Sequence, residues 1–104
     1  MAHVMMTIEG RTQPGKRDEA YALFEKHLAP RASAEDGQQL VIWAASDGDA
    51  DAFQLVEIYN DPAVMERNAT ADWFWAYMSE VGPLLDGEPR VTTSTPRWAK
   101  GTPL

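Results

Sequence analysis

The chain contains no cysteine and only two histidines. Disulfides, thiolate nucleophiles and sulfur-ligated metals are therefore excluded, which fits a reducing compartment. His3 and His27 form no H-x-x-x-H or H-E-x-x-H spacing, and neither a Gly-x-Ser-x-Gly elbow nor a phosphate-cradling glycine loop occurs. No metal, flavin or haem cofactor is expected. Basic residues are also few: nine Lys and Arg stand against sixteen Asp and Glu, a net charge of −7. They are scattered, so neither nucleic-acid phosphates nor an anionic membrane surface is an expected partner. Nothing before Val4 resembles a signal sequence, and no apolar run approaches the ~20 residues of a membrane span. The expected location is cytoplasmic. A small neutral or weakly acidic ligand in an apolar pocket is compatible with all of these absences.

What is present is an ordinary globular composition, 44% hydrophobic and 24% charged over 104 residues, enough for one domain (1–104) with a modest core. His3 to Glu9 alternates with period two, Val4, Met6 and Ile8 sharing one face, and reads as a strand. After the turn GRTQPG, the residues Ala20, Leu23, Phe24, His27 and Leu28 follow helical spacing, and Pro30 is expected to end that helix, with ASAEDG as a loop. QQLVIWAAS reads as a second strand, SDGDAD as an acidic hairpin turn and FQLVEIYN as the returning strand. That third strand places Phe53, Leu55, Glu57 and Tyr59 on one face. Asp61 is a good N-cap with Pro62 suited to the first helical position; the helix is expected to bend near Thr70 to Asp72 and to stop at Gly82-Pro83. A last strand over about 88–94 closes the core (3–94), leaving 95–104 as a tail.

The order β-α-β-β-α-β predicts an α+β, ferredoxin-like fold: a four-stranded antiparallel sheet with both helices on one face. The second face would meet water, yet Leu40, Ile42 and Ala44 alternate with Val41, Trp43 and Ala45, making strand two apolar on both sides. Burying each large apolar side chain contributes about 1.5–3 kcal/mol, in a domain whose total stability is of order 5–15 kcal/mol. A homodimer packed sheet to sheet is the expected cover.

Candidate functional residues concentrate after the third strand. At ~100° per residue, Trp73, Phe74, Tyr77, Met78 and Val81 share one helix face while Trp75 lies outside it. Buried Trp73 and Tyr77 carry polar atoms that need partners, which suits a pocket apolar in body and polar at points. Glu57, flanked on its face by Leu55 and Tyr59, must be paired if buried or its pKa must rise; Arg67, Arg90 or a backbone amide are the partners expected for a structural role. His27 lies on an apolar stripe and reads as a packed histidine. Asp47 to Asp51 lacks the downstream glutamate of a calcium loop and reads as a solvated turn.

Several segments together resemble the antibiotic biosynthesis monooxygenase family of dimeric α+β barrels: Pro14-Gly15-Lys16, Asp36-Gly37, FQLVEIY with Glu57, the helix bearing Phe74, Tyr77 and Met78, and Pro83-Leu84-Leu85. That family includes quinol monooxygenases, cofactor-free anthrone oxygenases and haem-degrading relatives. Asn68 and Trp73 stand where many members have histidine, and Thr7 with no histidine after His27 departs from the haem-degrading pattern. The resemblance implies a cofactor-independent monooxygenase that oxidises a small electron-rich aromatic (phenol, quinol or anthrone type) with O₂. Asn68, placed like the active-site asparagine of anthrone oxygenases, would donate to an oxyanion, Tyr77 relay a proton and Arg90 stabilise a phenolate. Trp73, Phe74, Leu55 and Glu57 would bind the substrate. A non-redox isomerase or lyase on the same barrel, and a non-catalytic ligand-binding dimer, are the alternatives.

Overall fold

The computed structural model, which describes residues 3–104, places β1 at Val4–Arg11, α1 at Arg17–His27, α2 at Ala29–Ala34, β2 at Gln38–Ala45 and β3 at Ala52–Tyr59. These are followed by α3 at Pro62–Ala69, α4 at Asp72–Val81, a 3-10 turn at Gly82–Leu84 and β4 at Arg90–Ser94. The four strands form one sheet in the order β2-β3-β1-β4, with every neighbouring pair antiparallel. This is the ferredoxin-like arrangement expected from the sequence, with each connecting helix divided in two.

Pro30 ends one helix and begins another. Rather than a loop, 29–34 forms α2 with Pro30 in its first turn, where a missing N–H leaves no intrahelical bond unmade. The second break falls where expected. Asp61 caps α3, its carboxylate accepting from the Ala63 amide at 2.9 Å. Thr70 closes α3, its hydroxyl donating to the Glu66 and Arg67 carbonyls, and α4 starts from Ala71 without a side-chain cap.

Residues of all four helices line one cavity together with one face of the sheet, so the helices share a side. Ala20 and Phe24 of α1, Leu55 of β3 and Tyr77 and Val81 of α4 are buried together in the core. Two close approaches need glycine. A Cβ at Gly10 would stand 2.7 Å from the Phe53 ring, and one at Gly37 would stand 2.7 Å from Val64. Phe53 thus lies across β1, stacked on Trp43 with centroids 5.4 Å apart and planes 4° from parallel. Arg17 fixes the start of α1 by donating to the Ser46, Asp49 and Ala52 carbonyls of the β2–β3 hairpin. The hairpin itself is held by Arg11 donating to Asp49, whose carboxyl is consequently held below its ordinary pKa.

On the sheet face away from the helices, Ile42 is 49% exposed and Ala44 is exposed, whereas Ile58 is buried. The segment after β4 leaves one edge of the sheet at Ser94 and is hydrogen-bonded to Gln39 on the opposite edge through Thr102 and Pro103. It therefore crosses the full width of the sheet, with Trp98 exposed along it.

Candidate functional site

The alternation of β3 determines what the cavity contains. Phe53, Leu55, Glu57 and Tyr59 all face inward, and the pairing Ile8 to Leu55 and Met6 to Glu57 brings the apolar face of β1 alongside. From the other side α4 presents Trp73, Phe74, Tyr77, Met78 and Val81, the face expected from its helical spacing, while Trp75 stays 60% exposed. The enclosed space is about 350 Å³, within the range that holds one small ligand. Arg31 of α2 lies over the Trp73 ring, 5.7 Å from its centroid, a cation–π contact that fixes the ring from outside.

The polar groups cluster at one end. Glu57 is 7% exposed, and Oε1 alone receives its hydrogen bonds, from Gln38 Nε2 at 2.5 Å and from the Tyr59 hydroxyl at 3.1 Å. Gln38 Nε2 also donates to the Tyr59 oxygen at 3.0 Å, and Asn68 of α3 lies near enough to the same phenol to oppose the rise in its pKa. Burial raises the Glu57 pKa, opposed by the hydrogen bonds from Tyr59 and Gln38. Burial likewise raises Tyr59 and, aided by the Glu57 charge, pushes Tyr77 up to about 12. Among the described residues, no lysine, arginine or histidine lines the cavity. Its charge chemistry rests on one carboxyl and two phenols.

Glu57 Oε2 and the Tyr77 hydroxyl have no hydrogen-bond partner among the described residues. Yet no side-chain N or O atom among those residues is both buried and unpartnered. Neither oxygen is therefore fully buried, and both residues line the cavity.

Of the residues singled out from sequence, Asn68, Tyr77, Trp73, Phe74, Leu55 and Glu57 meet around this space. Arg90 does not. It pairs with Glu9, one residue out of step with the Ile8 to Val91 row that faces the cavity, and so lies on the opposite face of the sheet beside Glu9 and Gln54. A one-residue change of register reverses every side chain of a strand. Nor is Glu57 paired with Arg67 or Arg90: Arg67 bridges to Glu35 instead. His27 is packed as expected, its ring edge-on to Tyr77 at 6.2 Å and its Nε2 paired with Glu80.

Sequence reasoning missed Gln38 and the role of Tyr59. Tyr59 was visible on the Glu57 face. Gln38 was not, because a bulge at Gln39 places Gln38 opposite Tyr59 but Leu40 opposite Ile58, so two residues of the same parity point to opposite faces.

No protein-family model matches the sequence, and no curated protein matches it. Solved structures do. A candidate antibiotic biosynthesis monooxygenase from Chloroflexus aurantiacus superposes with a TM-score of 0.82 at 17% identity, over 96% of this chain and 98% of that one. One of the same description from Caulobacter crescentus gives 0.86 at 18% identity, over 93% and 92% of the two chains. Another from Nitrosomonas europaea gives 0.86 at 11% identity, over 96% and 95%. What this chain shares with these three proteins is the ferredoxin-like α+β fold along nearly its whole length.

Proposed function

We propose that the cavity binds a small, uncharged, electron-rich aromatic of phenol, quinol or anthrone type and that the protein oxidises it with O₂ without a cofactor. The observation that carries this reading is a ring-walled, apolar cavity of about 350 Å³ whose polar groups stand at one end. Trp73, Phe74 and Leu55 supply the walls, while Asn68 and Tyr77 supply donors for an oxygen that becomes negative during the reaction. The substrate itself supplies the electrons. Loss of a proton leaves an enolate or phenolate that reduces O₂, a carbon-bound peroxide forms, and its collapse turns a CH₂ group and O₂ into a C=O group and water. The protein has to orient the ring, hold the anion and exclude bulk water. The monooxygenase descriptions of the fold neighbours agree with this reading.

The assembly proposed with it is a homodimer whose sheets pack face to face, supported by Leu40, Ile42 and Ala44 on the face without helices. An isomerase or lyase is the second reading, favoured by the open oxygen of Glu57, since proton transfer alone suffices for such reactions. Oxygen uptake with 1,8-dihydroxyanthrone and with substituted hydroquinones decides between them. Uptake matched one for one by quinone formation from the anthrone is the expected result. Turnover of a ligand without oxygen consumption supports the second reading.

A further inference from the structure

We infer that Glu57 is the general base of this site, its Oε2 taking the proton from a weakly acidic C–H or O–H of an uncharged ring ligand. The inference deepens the function proposed above and rests on it for the class of ligand. The geometry divides the carboxylate into two oxygens with different tasks. Oε1 is held by Gln38 and Tyr59, which fix the plane of the group from its own sheet. Oε2 has no protein partner and is not fully buried, on a residue that lines the cavity. Of the two oxygens, Oε2 is therefore the one a ligand in the cavity can meet, while Oε1 is engaged by Gln38 and Tyr59.

Charge balance supports the same role. The cavity has no cation among its lining residues, so forming a ligand anion beside a neutral site would introduce a new buried charge. Transfer to Glu57 avoids that. The C–H or O–H bond of the ligand breaks, an Oε2–H bond forms, and the electron pair stays on the ligand as enolate or phenolate. The site carries one negative charge before and after, moved from carboxylate to ligand, where Asn68 and Tyr77 can donate to it. The same balance determines specificity. A ligand that arrives as a carboxylate would place two negative charges side by side in a cavity lined by no cation and is disfavoured.

The titratable groups around Glu57 are Tyr59 on its own strand and Tyr77 from α4. β1 contributes Met6, β2 contributes Val41 and Gln38, α3 contributes Asn68, and Glu35 acts on Tyr59 from beyond it. None supplies a positive charge. Burial holds the Glu57 carboxyl above its ordinary range, which brings a base closer in strength to the weak acid it serves.

The test is anaerobic hydrogen–deuterium exchange at the methylene carbon of 1,8-dihydroxyanthrone in D₂O, followed by proton NMR, which reads proton removal without requiring oxygenation. Wild-type protein is expected to accelerate exchange, with a rate that rises as pH increases through a single ionisation above the ordinary carboxylate range. Glu57→Gln, which keeps the size and the Oε1 acceptor, is expected to lower the rate by roughly 10²–10⁴-fold. Exchange that Glu57→Gln loses, with no oxygen uptake by the wild type in air, would uphold Glu57 and remove the oxygenase reading. Oxygen uptake with exchange undiminished in Glu57→Gln would do the reverse. Should that variant fail to fold, the wild-type profile still decides: a rate independent of pH across the acidic range, or no acceleration at all, overturns the inference.

Discussion

The Tyr59 hydroxyl donates to Glu57 Oε1 at 3.1 Å from two residues along the same strand, so β3 carries both the carboxyl and the group that orients it. Neighbours at i and i+2 share a face at a spacing the backbone fixes. Tyr59→Phe keeps the ring and removes the donor. The variant should lose about 1 kcal/mol of stability. The Glu57 pKa should move further up, since a hydrogen bond that lowers it is gone. Calorimetry gives the first quantity, and carboxyl ¹³C shifts across a pH titration give the second.

Glu57 also shapes the pH dependence of stability. Its folded pKa lies above the unfolded value near 4.5, so the native state binds a proton over a range where the unfolded chain has lost it. Stability from this group is fully present below 4.5 and is lost as pH rises through the folded value. Glu57→Gln removes the ionisation while retaining an acceptor for Gln38 and Tyr59. Its melting temperature is expected to match wild type in acid and to exceed it at neutral pH. Equal differences at both pH values would show that Glu57 ionisation does not couple to folding.

The sequence conveys the strand and helix order, the α3–α4 break and the inward face of α4, because these depend on local periodicity and on Asp61, Pro62 and Gly82-Pro83. Two features depend on pairing and are not local. The bulge at Gln39 brings Gln38 to Glu57, and the Glu9 to Arg90 register takes Arg90 out of the site. Alternation within β4 shows that Arg90 and Val91 face opposite ways. Which of them meets the cavity is decided by β1.

Gly10 is required by the Phe53 ring, which passes within 2.7 Å of where a Cβ would stand. Gly10→Ala should push Phe53 off its stack with Trp43 and cost about 1–3 kcal/mol through overpacking. Near-ultraviolet circular dichroism should change with it, since the parallel Phe53–Trp43 pair is disturbed. An unaltered spectrum together with wild-type stability would mean that the backbone yields there.

The proposed dimer predicts a mass of twice 11.6 kDa by light scattering at micromolar concentration. Ile42, 49% exposed at the centre of β2, would lie inside the interface. Ile42→Lys places an unpaired charge there, so it should shift the protein to monomer and lower its stability. A wild-type monomer, or a variant that dimerises as before, is the outcome against face-to-face sheets.

Asn68 and Arg90 separate the site seen in the fold from the one inferred by resemblance. Asn68 projects from α3 into the polar end of the cavity, beside Tyr59, whereas Arg90 stands on the other face of the sheet with Glu9. Asn68→Ala should reduce oxygen uptake on an anthrone by roughly 10²–10³-fold if its amide holds the developing oxyanion. Tyr77→Phe should keep the packing of α4 and lower the rate through the lost hydroxyl alone. Arg90→Ala should leave both kcat and KM unchanged, because no atom of it reaches the cavity wall. Steady-state oxygen uptake beside thermal unfolding distinguishes these cases. If Arg90→Ala slows turnover as much as Asn68→Ala at undiminished stability, then Arg90 acts on the reaction across the sheet or in an assembly, and the single-chain cavity is not the whole site.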